Sequence, residues 1–415
     1  MLFKDERFGM FIHYGIYAVG GWQEQEWWRR RMTKEDYVRY AEHFSPRHGC
    51  VDEWLDLAAA SGVEYVCFTA KHHDGFCMFD TAYTDFKITN TPYGKDMLAE
   101  VAEGCRKRGL AFVIYYSLPD WHQKNAVKDG GDHQLPVQNA GDEPNAELYK
   151  AYLKNQVTEL LTNYGKVDAL FWDIPSAEKD PSVNALVRRL QPHILINDRG
   201  YSEGDYATPE RTVPPGAFTR LTEACQSVGM QSWGYRAEED YFTTAFLQDS
   251  VDRIMTKGGN YILNVGPMAD GSLPEEAKAR LSGVGKWYLS VKESFLHAET
   301  VVCQKIPHGM TRKGNCLYLH LPTGYAGSGL SLSPIDVSPL SATLLNTGEA
   351  VDAALRYVPF FFDPKAETCK HHLYLRALPA ETLHQPMVIR LTFQETDMPA
   401  LLKALSGDEN GNTVL

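Results

Sequence analysis
The chain is predicted to be an α/β protein, a (β/α)8-like TIM barrel followed by a C-terminal antiparallel β-sandwich. Three observations predict this. Short apolar runs alternate with helix-length amphipathic segments over roughly the first three hundred residues, the pattern of parallel strands joined by helices. No Gly-rich phosphate loop follows the first run, which disfavours a doubly wound open sheet. From about Glu299 the helical patterns stop, and short alternating runs separated by Gly, Pro and Ser take over, as in a sandwich. The expected boundaries are 1–297 for the barrel, 298–397 for the sandwich and 398–415 for a polar tail.

Taken in order, Phe8–Tyr14 is the first expected strand and carries His13 at its end. Val51–Ser61 is a helix, and Tyr65–Thr69 a second strand that runs into Lys71-His72-His73-Asp74-Gly75-Phe76. Asp96–Arg108 has an acidic start, a basic end and Gly109 as its stop, as the helix dipole prefers. Leu110–Ser117 is the third strand, and the polar stretch from Asp120 to Pro144 after it is long enough to suggest a functional loop. A helix over Asn145–Tyr164 leads to Val167–Ile174, a β-branched and aromatic run that delivers Asp173 at its end. Ser182–Gln191 reads as a helix and Ile194–Asn197 as a fifth strand. Phe218–Cys225 and Gln231–Trp233 are candidate strands in an otherwise irregular stretch. Thr243–Lys257, Tyr261–Pro267 and Pro274–Val291 complete the pattern as helix, strand and closing helix.

The formal net charge of −12 argues against nucleic acid or an anionic membrane as partner, since either would be repelled by the average surface. Eight scattered cysteines without a Cys-x-x-Cys pair disfavour a zinc ribbon or redox motif. With no apolar signal core at its start, the chain is expected to be cytoplasmic unless a secretion leader has been trimmed. It is compatible with a homo-oligomer. Aromatic residues make up 12% of it, a richness that suits sugar stacking and large cores alike.

Reacting groups of a parallel barrel sit at the C-terminal ends of its strands, so Asp173 is expected to point into a shared pocket. The Lys71–Phe76 block would open on the same mouth. Two histidines and an acid there allow a metal site of His72, His73 and Asp74, but neighbouring residues on an extended chain point apart. The favoured reading is that His72, His73 and His13 grip sugar hydroxyls, without metal or cofactor. Glu26-Trp27 adds a carboxylate beside an aromatic face.

These blocks, together with Tyr115-Tyr116-Ser117, Asp120-Trp121, Ser232-Trp233-Gly234-Tyr235 and Leu263-Asn264-Val265-Gly266-Pro267, resemble glycoside hydrolase family 29, the α-L-fucosidases. The resemblance implies an exo-acting, retaining hydrolase that releases terminal L-fucose from fucosylated glycans by double displacement. It implies Asp173 as nucleophile, and fucose contacts from His13, Glu26, Trp27, His72, His73 and a tyrosine, taken as Tyr116. Glu223 is expected as acid/base from its spacing to Ser232-Trp233-Gly234-Tyr235 and its apolar neighbours, with Glu210, Glu238 and Glu239 as rivals. Phe171, which stands where the family usually has Trp, Trp233 and Phe76 are the candidates to wall the fucose methyl, and Arg211 is expected to reach the sugar. The alternatives are a catalytically weak fucose-binding barrel and a metal-dependent hydrolase using His72, His73 and Asp74.

Overall fold
Seven parallel strands form the first sheet: β1 (Phe8–Ile12), β2 (Tyr65–Lys71), β3 (Ala111–Ser117), β4 (Ala169–Asp173), β5 (Leu195–Ile196), β6 (Glu223–Ser227) and β7 (Asn260–Val265). Their spatial order is β5-β4-β3-β2-β1-β7-β6. The computed structural model describes residues 2–131, 133–176, 178–212, 216–301, 306, 308–332, 335, 337–357 and 371–405. β1, β2, β6 and β7 are buried along their whole length, as strands covered on both faces must be. Alternate residues meet on one side: Phe11 of β1, Tyr65 and Cys67 of β2, Tyr115 of β3, Phe171 of β4, Cys225 of β6 and Ile262 of β7 share one apolar cluster. That contact requires the sheet to curl. The Tyr65 hydroxyl on β2 donates to Glu223 Oε1 on β6 at 2.7 Å, across the interior.

A full eight-stranded barrel was expected, and the described residues show it in part. Between β5 and β6 the chain makes isolated parallel bridges only: Asn197 with Tyr206, Ala207 with Thr222, and Glu210 with Cys225. Pro209, which has no N–H to donate, interrupts that stretch, and Gly200 and Gly204 precede it. Gln231–Trp233 is not a strand. The other expected elements fall within a few residues of their predicted ends. Asp96, Asn145 and Asp180 each accept a backbone N–H in the first turn of the helices Met97–Arg108, Ala146–Asn163 and Pro181–Leu190. No helix among the described residues is long and apolar enough to cross a membrane.

By compactness the chain falls into two units: Met1–Thr212 with Arg220–Phe242 and Asn260–Ser282, and Val213–Thr219 with Thr243–Gly259 and Gly283–Leu415. The second unit holds two antiparallel sheets. One contains β8 (Glu299–Val301), β9 (Gly309–Lys313), β10 (Cys316–Leu321), β12 (Ser341–Leu344), β13 (Glu349–Ala350) and β16 (Met387–Thr392). The other contains β11 (Gly329–Leu332), β14 (Asp352–Tyr357) and β15 (His371–Arg376). Leu317, Leu319 and Leu321 of β10, Leu373 and Leu375 of β15, and Ile389 and Leu391 of β16 alternate into a common core. The expected polar tail needs correcting. Met398–Leu405 is a helix whose Met398 and Leu401 enter that core, since Met398, Leu401, Leu402 and Leu405 recur at helical spacing. Cys303 and the stretch 406–415 lie outside the described residues.

The helix Thr244–Met255 of this unit carries Asp252, which is fully buried between two imidazoles. Nδ1 of His308 and Nδ1 of His320 each stand 2.7 Å from one of its oxygens. Asp252→Ala would leave both rings without their partner, and is expected to cost about 3 kcal/mol. Urea unfolding measures this; a loss under about 1 kcal/mol would show that the node contributes little to stability.

Candidate active site
Asp173 ends β4 beside Ser117, its register partner at the end of β3. Its Oδ2 accepts the Tyr115 hydroxyl at 2.6 Å, and its Oδ1 accepts Nη1 of Arg199 at 2.9 Å and the Ile174 amide at 2.9 Å. Ile174 has φ +60°, rare for a β-branched residue, so the backbone is strained just after this carboxylate. Burial opposes the charge on Asp173. A protonated His73, Arg199, Tyr115 and the Ile174 amide outweigh it and bring the carboxyl down to about 2. His73 is itself pushed down to about 3 by burial, so near neutral pH the guanidinium is the charge that matters.

Arg199 holds a second acid with the same nitrogen. Nη1 is ion-paired with Oε1 of Glu210, while Nε and Nη2 are anchored on the Thr208 hydroxyl and carbonyl. Glu210 and Asp173 therefore flank one nitrogen, which holds the two carboxylates close together. The Glu210 side chain is 39% exposed and that of Asp173 14%. Glu210 faces the open side.

The histidines gather around this pair. A register shift between Thr69 and Lys71 breaks the strand alternation, so His72 and His73 lie side by side with ring centroids 4.2 Å apart rather than pointing apart. Gly75 closes the turn at φ +82°, and a Cβ there would lie 2.2 Å from the Asp120 carboxylate. Lys71, fully buried, meets that carboxylate at 2.9 Å and lies over the Tyr116 ring.

Donor counting assigns two tautomers. The Ser117 hydroxyl donates to the Pro119 carbonyl, so it must accept from His73 Nδ1 at 2.6 Å. Asn264 Nδ2 donates to the Trp233 carbonyl, so its Oδ1 accepts from His13 Nδ1 at 2.6 Å. In the neutral rings both Nε2 atoms are then acceptors, and His73 Nε2 stands 3.7 Å from Asp173 Oδ2. Burial lowers the pKa of His13, and lowers that of His72 well below the ordinary value, so neutral rings are the rule here. His72 stacks on Tyr115, with its Nδ1 buried and without a hydrogen-bond partner.

Several expected positions need correcting. Tyr116 faces away from the pocket and donates to Gln156 Oε1 at 2.7 Å; Tyr115, opposite Phe171 in register, is the tyrosine that faces in. Strand parity carried that signal, because residues 113, 115 and 117 share the side of 169, 171 and 173. Glu26 gives its carboxylate to Arg30 and Tyr40. Glu24, not singled out from sequence, is the acid beneath the site: its Oε2 accepts Ser232 Oγ and the Trp233 and Gly234 amides at 2.8–3.1 Å. Trp27 is buried, stacked on Tyr37 and edge-on to Trp121, one layer behind His73. Phe171 packs under Tyr115 and Arg199, and Trp233 stacks on His13. Arg211 lies 4.9 Å over the Trp233 ring.

Glu223 is not brought to the site. It begins β6, opposite Asn260 at the start of β7, whereas Asp173 ends β4, so the two occupy opposite ends of parallel strands. Its side chain is fully buried below the aromatic cluster on the Tyr65 hydroxyl. Among the rivals, Glu238 is exposed and Glu239 turns to the Gln231 amide. The expected metal triad is also not formed, since Asp74 accepts Tyr37 and the Phe76 amide. Ligand atoms of His72, His73 and Asp173 do lie within 4.8 Å of one another. That set suits a cation poorly: both Asp173 oxygens are taken, one by a guanidinium that would repel the ion.

Two acids on one arginine near the C-terminal ends of a curled parallel sheet, ringed by histidines and aromatic faces, are the arrangement expected of a glycoside hydrolase. Comparison with known proteins narrows the class. Residues 1–293 match the family model Alpha-L-fucosidase, and the chain belongs to that family, as a hydrolase of the α-L-fucosidase type. It is 27% identical over 383 residues to the tissue alpha-L-fucosidase of Homo sapiens, covering 83% of this chain and 80% of that one. Alpha-L-fucosidase isoenzyme 1 from Paenibacillus thiaminolyticus superposes with TM-score 0.84 at 32% identity, over 94% of this chain and 97% of that one. A Thermotoga maritima alpha-fucosidase solved with a mechanism-based inhibitor superposes with TM-score 0.75 at 26% identity, over 94% and 95%.

Tyr115→Phe removes a donor from Asp173 and is expected to lower kcat at least tenfold. Tyr116→Phe is expected to change kcat less than twofold and cost about 1 kcal/mol of stability. Equal kinetic effects of the two would place the wrong tyrosine in the pocket.

Burial raises the Glu223 carboxyl to about 7, against about 4.3 in an unfolded chain. Below the unfolded value both states hold the proton and nothing is lost. Between about pH 4 and 7 the unfolded chain ionises and the folded one resists, so folding is penalised by up to about 3 kcal/mol at pH 7. The stability of Glu223→Gln relative to the parent should therefore rise from pH 4 to pH 7. Chemical denaturation at the two pH values reads this out, and a flat difference would contradict a buried, proton-holding Glu223.

Proposed function
We propose that the chain is an exo-acting, retaining α-L-fucosidase that releases terminal L-fucose from fucosylated glycans, with Asp173 as nucleophile and Glu210 as acid/base. The observation that carries this is the sharing of one Arg199 nitrogen by the two carboxylates. In the first step an Asp173 oxygen attacks the anomeric carbon, the bond to the leaving oxygen breaks, and Glu210 supplies the proton. In the second, Glu210 takes a proton from water, which displaces Asp173 and restores the original configuration. Asp173, held ionised by Arg199, is suited to attack. The ion pair of Glu210 must be exchanged for a proton before the leaving oxygen departs. Neutral His13 and His73 offer Nε2 acceptors to sugar hydroxyls, and Phe171 and Trp233 supply the apolar wall that a 6-deoxy sugar requires.

Asp173→Asn is expected to lower turnover by several orders of magnitude while binding of an iminosugar inhibitor persists. Glu210→Ala should lose 10²–10⁴-fold on a fucosyl disaccharide, lose much less on fucosyl fluoride, and form α-fucosyl azide when azide is added. Should Glu223→Gln show azide rescue and Glu210→Ala none, the acid/base would belong to Glu223 after all. Prolonged chelation should leave turnover unchanged. Its abolition, reversed by added zinc or manganese, would favour the metal-dependent reading.

A further inference from the structure
Resting on the fucosidase reading, we propose that Arg211 is the leaving-group contact, binding the hydroxyls of the sugar to which fucose is attached. A continuous wall leads from the nucleophile outward: Tyr115 bonds Asp173, His72 stacks on Tyr115 at 5.6 Å, and His13 lies 5.8 Å from His72. Trp233 stacks on His13 at 5.6 Å, and the Arg211 guanidinium caps Trp233. The wall starts at the buried Asp173 end and finishes at an exposed cation. Glu210, which must touch the leaving oxygen, directly precedes that cation. The proton donor thus fixes where the leaving sugar sits, and Arg211 is the next residue along.

Arg211 is held in place at a cost that a casual surface residue need not bear. Its φ is +51°, in the left-handed region that side chains other than glycine avoid. Its amide donates to the Cys225 carbonyl at 2.9 Å and its Nη1 to the Met230 carbonyl at 2.7 Å. With one nitrogen tied to backbone and the guanidinium carbon held 4.9 Å from the Trp233 ring centroid, the rest of the fork is presented in a restricted direction. A planar fork suits a pair of neighbouring hydroxyls on a pyranose better than an apolar aglycone, which offers no acceptor.

The test compares two substrates and one inhibitor on Arg211→Ala and Arg211→Lys. Fucosyl fluoride carries no leaving sugar, a neutral fucosyl disaccharide does, and a fucose-ring iminosugar reports on the inner pocket alone. For Arg211→Ala the ratio of disaccharide to fluoride kcat/KM is expected to fall at least tenfold, with Arg211→Lys falling between parent and Ala. An unchanged ratio would overturn the proposal. So would an iminosugar affinity that falls as far as disaccharide turnover, since Arg211 would then act through Trp233 on the inner pocket. A parent enzyme that cleaves neither fucosyl substrate would refute the fucosidase reading itself, a distinct outcome.

Discussion
Two neighbouring carboxylates repel each other unless a positive charge or a shared proton stands between them, and here the guanidinium of Arg199 does. The residue lies just past β5, and its side chain spans from Asp173 at the end of β4 to Glu210 in the bridged stretch before β6. Thr208 fixes the far side of the guanidinium through its hydroxyl and carbonyl, and the Phe171 ring lies 5.5 Å from it. One planar cation therefore sets both the charge of Asp173 and the spacing of the pair. A lysine would supply the charge without the fork that makes four of these contacts at once.

The rest of the pocket works by withholding charge. Three histidines within stacking distance of one another could not all be cations at that depth, and burial keeps them neutral. Neutrality has a consequence for recognition: Ser117 and Asn264 take the Nδ1 protons, which turns the Nε2 atoms into acceptors. With Nδ1 protonated, His13 and His73 in their neutral form present acceptors at Nε2. The buried Lys71–Asp120 pair steadies the turn that carries the adjacent histidines, because Asp120 also accepts the His122 and Gln123 amides of the following loop.

Glu223 is a perturbed acid that lies away from Asp173. Its carboxyl is raised by the same desolvation that tunes many proton donors, and its neighbours are as apolar as its sequence context suggested. Yet it sits at the N-terminal end of its strand, where no parallel barrel places its chemistry. The difference between Glu223 and Glu210 is one of altitude along the strands. Local chemistry does not encode it.

What the sequence by itself determined is what depends on neighbours along the chain: the alternation of strands and helices, the caps at Asp96, Asn145 and Asp180, the change of texture near Glu299, and Asp173 at the end of its run. Strand parity also contained Tyr115, although Tyr116 was taken in its place. What only the tertiary structure decided is what depends on register between distant segments. Arg199 carries no local mark as a site residue because its partners lie 26 residues before it and 11 after, joined only when β5 pairs with β4 and the following stretch bridges on toward β6. Glu24 and Glu26 sit in one short acidic stretch and look alike in sequence; what distinguishes Glu24 is the Ser232 hydroxyl and the Trp233 and Gly234 amides that it accepts, some two hundred residues on. Periodicity reports which face a residue takes within its own element; curling and packing decide what stands opposite it.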